Sequence, residues 1–513
     1  MINWIKWLVL GVFTLLSLAA IAVYISLRLS LPALDGNSAT YHVVAPTELS
    51  RDSLGQAVIN ANDIFDAAYA LGFAHAQDRF FQMDLQRRAA SGNLSQWVGE
   101  IALDIDKKAR FHQFEQRAKV VFENLPARQQ DLLVRYAHGV NEGLSEFTLP
   151  PFEYLAAGVE IKQWQPTDSI LVIYSMYLDL QGSQVEFDLA REALLNTFGE
   201  EVYNFITQPS NYQAALDASE IPLLEAAAPT YPAILRSSTD NMDTSSKSNT
   251  SQRSQVKEGM TPEISQSPTT INTAIARAQY NGTELPDIGS NNWAVTGAYT
   301  ATGAGLLAND MHLGLRVPII WYRAQLNYQE SGSDVQVTGV SLPGLPGIVV
   351  GTNGHIAWGF TNSYGDYNDV IKIETVNDGS HYLTADGAKA FSFHKQLIAV
   401  KDQQPVEVTI KETIWGPIIG ENHQGQLLAY RWVAHDPQAV NFTSKELELA
   451  TSVKQAFNIA SRSGIPAQNM MVGDKAGNIG WTIMGPLPID LLLRIVRIPF
   501  VRFTFNTREY SII

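Results

Sequence analysis

Gly289 and Ser290 stand where a polar stretch ending in Leu285-Pro286-Asp287-Ile288-Gly289 gives way abruptly to the strand-like run Ser290-Asn291-Asn292-Trp293-Ala294-Val295. A chain cut between them would leave Ser290 with a free α-amine of pKa about 8, a base of suitable strength beside its own hydroxyl. One residue would then serve as nucleophile and base. Gly289 has no Cβ and tolerates the backbone geometry that a strained scissile peptide needs. On composition alone the competing reading is an ordinary Gly-Ser linker end, and it stays open at this point. Asp366 and Asp369 in GDYND, three apart on a turn, form a hard-oxygen pair of the kind that suits Ca²⁺; a solvated loop explains them equally well. The common hydrolase and nucleotide signals are absent: there is no G-x-S-x-G, no H-E-x-x-H and no G-x-x-x-x-G-K.

The elements that would position these groups divide the chain. From about Ala39 to Ala228 it reads as mixed and mostly helical. The run from Asn60 to Glu100, opened by Asn and Asp and interrupted by Gly92, carries Phe65, Ala68, Leu71, Phe81 and Leu85 at roughly helical spacing. Further helical runs follow Pro126, through Leu132, Leu133, Tyr136 and Val140, and Asp168, through Leu171, Tyr174, Met176 and Leu180. Residues 229–289 are rich in Ser, Thr, Asn and Gln and hold too little apolar surface to fold alone. They read as an interdomain linker or as a spacer that is cut out. After Ser290, short β-rich runs punctuated by Gly, Asn and Pro take over, with helix limited to patches such as Lys445 to Ile459. Helices early and strands late predict an α+β architecture.

Composition narrows the function. The chain has 513 residues, 36 Lys+Arg against 51 Asp+Glu, a formal charge of −15 and no cysteine. Its length favours two lobes or one large layered domain. Without cysteine there is no disulfide framework, no thiolate metal site and no cysteine nucleophile. The acidic balance argues against a nucleic-acid partner. The uncharged run from Trp7 to Leu27 between Lys6 and Arg28 reads as an export signal. It is long enough for a retained membrane anchor, and Ala20-Ile21-Ala22 offers a cleavage pattern, so residues 1–30 are an anchor or a signal peptide. The globular part is expected in the periplasm or facing outside the cytoplasm.

Four separated motifs resemble the penicillin acylase (penicillin amidase) family of N-terminal-nucleophile hydrolases. They are LSRDSLGQAVINANDIFDAAYALGFAHAQDRFFQMDLQRRAASGNLSQWVGE, GSNNWAVTGAYTATGAGLLANDMHLGLRVPIIWYRAQL, SLPGLPGIVVGTNGHIAWGFTNSYGDYNDV and PAQNMMVGDKAGNIGW. Together they cover roughly Ser50 to Gly485 in the family's order. The resemblance implies a four-layer αββα sandwich: a small subunit over 39–228, a spacer propeptide over 229–289, and the first part of a large subunit from Ser290 onward. The two subunits would form a heterodimer after self-cleavage at Gly289–Ser290, with a small N-acyl compound as substrate.

Residue by residue, the resemblance implies that Ser290 is the autoproteolytic agent and then the acyl-accepting nucleophile. The Asn469 side-chain amide and the Asn362 backbone N–H would donate to the oxyanion, and His312 would hydrogen-bond the Ser290 amine or hydroxyl. Met176 and Leu180 would gate the acyl pocket, with Met311 and Leu313 flanking His312. A structural calcium ion would take Glu186 of the small subunit together with Asp366, the Asn368 carbonyl and Asp369. The expected function is a self-processing penicillin acylase-like amide hydrolase, with an acyl-homoserine-lactone acylase of the same mechanism, or an inactive membrane-anchored remnant, as the alternatives. After GWTIMGPLP the sequence departs from the family pattern; the tail IDLLLRIVRIPFVRFTFNTREYSII reads as a truncation or a shifted frame from about Pro488.

Overall fold

The computed structural model describes residues 2–207, 290–313, 317–422 and 424–488. The expected spacer and the tail after Pro488 lie outside them. The apolar N-terminus forms one helix, Ile2–Leu29, whose span from Trp4 is long and apolar enough to cross a membrane. The helical half is dominated by Ile64–Ser91. Asp63 starts this helix by accepting the N–H groups of Phe65 and Asp66, satisfying two otherwise unpaired donors. Gly92 ends it in the left-handed conformation, φ 66°, where a Cβ would strike the Asp106 carbonyl and the Arg110 side chain. Ala127–Ser145 packs closely against it, because Gly139 leaves no side chain between its own backbone and that of Tyr69. Pro166–Gln181 completes this layer.

The helical half also supplies strands. Glu48–Arg51 and Ala57–Asn60 form one edge of an eight-stranded sheet. The second of them pairs in parallel with Tyr322–Glu330. The sheet continues through Ser333–Ser341, Ile348–Thr352, Ile356–Asn362, Gln468–Asp474 and Ile479–Met484. Trp358, Phe360, Met470 and Val472 point from its centre into a core shared with Ala67, Leu71 and Ala74 of the long helix. On the opposite face lies a two-stranded ribbon, Ser290–Val295 paired with Leu306–Met311. The Asn309 side chain lies against Gly359 and accepts the Phe360 N–H at 2.8 Å. A five-stranded sheet (392–398, 406–413, 416–421, 427–432, 368–372) and a small three-stranded one complete the second half. The α+β expectation is met. Of the four implied layers, the described residues form helices, large sheet and ribbon.

Candidate active site

Ser290 begins the ribbon, paired with Met311 in the opposite strand. Asn309 fixes this corner: its amide nitrogen donates to the carbonyls of Asn291 (3.1 Å) and Phe360 (2.9 Å), tying the residue after Ser290 to the large sheet. The Ser290 Oγ accepts the backbone N–H of His312 at 3.2 Å. The His312 ring turns elsewhere: its Nε2 meets Asp310 at 2.7 Å, about half exposed. His312 thus touches the Ser290 hydroxyl through its backbone and not through its imidazole.

Asn469 and Asn362 meet across neighbouring strands. Asn469 Nδ2 donates to the Asn362 carbonyl at 3.1 Å, and Trp481 Nε1 donates to Asn469 Oδ1 at 3.2 Å. The indole N–H can only donate, so it fixes which end of the amide faces which way. The amide nitrogen keeps a second N–H beyond the one given to Asn362. Asn362 donates in turn to the Leu180 carbonyl at 3.1 Å and receives the Gln468 amide at 3.4 Å. The helix carrying Met176 and Leu180 is therefore pinned to the strand carrying Asn362.

Met176, Leu180, Met311, Leu313, Asn362 and Ser290 all line one cleft with a cavity of about 140 Å³. Sequence reasoning missed several of its walls, among them Trp321, Phe360, Phe442, Lys445 and Gln468. Alternation along Ile356–Asn362 signals Phe360, but Phe442 and Lys445 come from an irregular 3₁₀ region without a period to read. A buried network shapes the neighbouring loop: His75 bridges Tyr136 (2.7 Å) and Ser341 (2.8 Å), and the Tyr136 hydroxyl accepts the Gly344 N–H. Burial, with Arg79 nearby, pushes the His75 pKa down to about 3, which keeps the ring neutral.

The acidic group includes a carboxylate outside the expected set. Asp188, two residues beyond Glu186, interacts with Asp366 and Asp369; burial and then repulsion from Asp366 push it up to about 7. The Asn368 Oδ1 is buried without a hydrogen-bond partner among the described residues. Hard oxygens facing a shared negative region fit a cation chemically. Among the described residues, no three acidic or histidine side chains converge on one metal-binding point. Gly289, the other side of the expected scissile bond, lies outside the described residues.

Comparison with known proteins gives a family. The penicillin amidase family model matches residues 46–492. The chain is 28% identical over 498 residues to an acyl-homoserine lactone acylase, QuiP, of Pseudomonas aeruginosa, covering 93% of this chain and 54% of that protein. It is 29% identical over 466 residues to the penicillin acylase 2 proenzyme of a Pseudomonas species, covering 90% and 55%. A solved structure of the thermostable penicillin G acylase from Alcaligenes faecalis aligns over 37% of this chain and 34% of its own, at 23% identity and a TM-score of 0.32. The chain spans about half the length of the curated relatives it matches. With a family match running from the first sheet strand to just beyond the last, the chain belongs to the penicillin amidase family.

Proposed function

We propose that this chain carries the nucleophile and acyl pocket of a self-processing hydrolase of N-acyl amides. The observation that carries the reading is Ser290 at the start of a ribbon strand, lining an apolar cleft with Asn362, while Asn469 reaches the Asn362 carbonyl. In the first step the Ser290 Oγ bonds to the Gly289 carbonyl carbon and the Gly289–Ser290 C–N bond breaks, giving an ester and a free Ser290 amine. Water hydrolyses that ester. In turnover the amine takes the hydroxyl proton, Oγ attacks the substrate amide, the amine product leaves protonated, and water releases the acid. Donors near Asn469 and Asn362 stabilise each oxyanion, a role for which one lost donor costs about 3 kcal/mol.

Pocket size is compatible with the penicillin-type reading. An apolar void of roughly 150 Å³ holds one benzene ring, so a cavity of about 140 Å³ suits an aromatic or short acyl group. The acyl-homoserine lactone reading keeps the mechanism and is favoured by the QuiP similarity. A calcium ion, if held by Asp188, Asp366, Asp369 and Asn368, would join the two halves without entering the chemistry. The apolar N-terminal helix supports export, cleaved or anchored. The test is intact mass and N-terminal sequencing of the purified chain beside Ser290→Ala. A fragment beginning Ser290-Asn291-Asn292 in the parent and absent from the variant is expected. An unbroken chain in both sinks the proposal and favours the inactive remnant. Competition between phenylacetyl amides and long-chain acyl-homoserine lactones then separates the substrates.

A further inference from the structure

The cleft contains a charged side chain that the acylase chemistry does not use. Lys445 lines it and is 8% exposed. Its ammonium pairs with Glu448 at 2.8 Å. Glu448 is fully engaged: Oε2 also accepts the Tyr328 hydroxyl at 2.7 Å, and Oε1 accepts the Ile348 N–H at 3.0 Å. Lys445 is not. An ammonium has three donors; among the described residues Glu448 is its only hydrogen-bond acceptor, and its other neighbour is the face of the Tyr328 ring, 5.7 Å from Nζ to the ring centre, a contact that occupies no acceptor site. Gly347, another lining residue, makes the room: a Cβ there would stand 3.2 Å from the Lys445 Nζ and 2.9 Å from Glu448 Oε1. A purely structural ion pair accounts for Glu448 but not for a cation with donors left over beside a mainly apolar cleft.

We propose that Lys445 is a specificity-determining residue that takes a neutral oxygen acceptor, an ether, hydroxyl or ketone, carried by the acyl group. The inference rests on the acyl-pocket reading above. Charge decides the ligand class. The Lys445–Glu448 pair is already neutral, so an acyl group with a terminal carboxylate would place a net negative charge in a buried site beside Glu448. A neutral oxygen accepts a remaining N–H without that cost. An all-methylene chain seals the donor from water and gives nothing back.

The experiment uses the full chain and a set of isosteric acyl groups in which one methylene at a time becomes an ether oxygen, with a terminal-carboxylate analogue. Binding of the free acids is measured by titration calorimetry, and kcat/KM is measured for the matching amides. One oxygen position is expected to gain about 10-fold over the all-methylene chain, with the carboxylate analogue weakest. That ratio falls to about 1 in Lys445→Met. The charge-balanced double variant Lys445→Met with Glu448→Gln, checked by thermal melting, gives the same readout if the single variant does not fold. No preferred oxygen position in the parent, a preference that survives in the variants, or tightest binding of the carboxylate analogue overturns the proposal. An oxygen preference in binding with no turnover of any amide overturns the acylase reading alone, whereas turnover without the preference overturns this one alone.

Discussion

The helix-covered face of the large sheet carries Trp358, Phe360, Met470 and Val472, none more than 7% exposed. In the same strands the ribbon-covered face presents Gly359 and Gly473, with Gly305 of the ribbon's turn lying against Gly473. Large side chains fill the wide gap between a sheet and its helices, while glycines bring two β layers almost backbone to backbone. Stability is concentrated on the first side, and the position of Ser290 is set on the second by main-chain contact and by Asn309. The histidines divide similarly: His75, His112 and His435 are buried, whereas the His312 ring on the ribbon is about half exposed.

Acid is the strongest way to break the buried cores, through His75 on the helix-covered side of the large sheet and through His112 and His435 beside Tyr430 and Trp432 of the five-stranded sheet. Burial lowers the His75 and His112 pKa values to about 3 and that of His435 well below 6.5. The unfolded chain therefore binds more protons than the native one below pH 6.5, and the stability these neutral rings contribute, complete above that pH, is lost as pH falls toward 3. His75 and His112 are each expected to cost about 1.4 kcal/mol per pH unit over that window, with His435 acting in the same direction, read as a falling urea midpoint. Asp84→Ala comes next. It leaves Arg88 without its carboxylate partner, takes one of two carboxylates from Arg87, which keeps Asp168, and removes the acceptor of the Tyr154 hydroxyl. A loss of about 3–5 kcal/mol is expected by denaturant titration.

The ribbon side should respond in function before stability. In Gly359→Ala the new Cβ would stand 2.5 Å from the Asn309 Oδ1, costing about 1–3 kcal/mol and shifting Ser290. Slowed appearance of the Ser290 N-terminus with a melting temperature lowered by only a few degrees is the expected result, and normal processing would show that the ribbon tolerates displacement. The smallest effect is expected from Trp481→Phe, which removes the N–H that orients Asn469 and keeps an aromatic ring. A rate reduction of about fivefold with unchanged substrate affinity would mark an orienting role.

Much of this contrast was legible in residue types. Asp63 and Gly92 bound the long helix where cap chemistry says they should, and the β-rich texture after Ser290 became strands. The strands Glu48–Arg51 and Ala57–Asn60 escaped notice inside a mostly helical half, because four-residue strands carry almost no period and the parallel partner, Ala324–Asn327, is remote in sequence. Ser290 stands out in the sequence at the abrupt junction, beside the competing reading of a linker end, whereas Asn362 and Asn469 are readable only through family resemblance, since nothing in local spacing says that separate strands will bring the three together. Asp188 goes unread in the sequence for the same reason: only the fold shows that it meets Asp366 and Asp369.

The parallel strand Ala57–Asn60 gives the two halves an unusual relation. A cut anywhere between residues 208 and 289 would leave a first fragment whose strands extend the second fragment's sheet, with Arg51 clasping the Tyr322 hydroxyl beyond them. The fragments would behave as one interleaved object and not as docked partners: dilution would not separate them, and exchange with fresh halves would have to wait for the sheet itself to come apart.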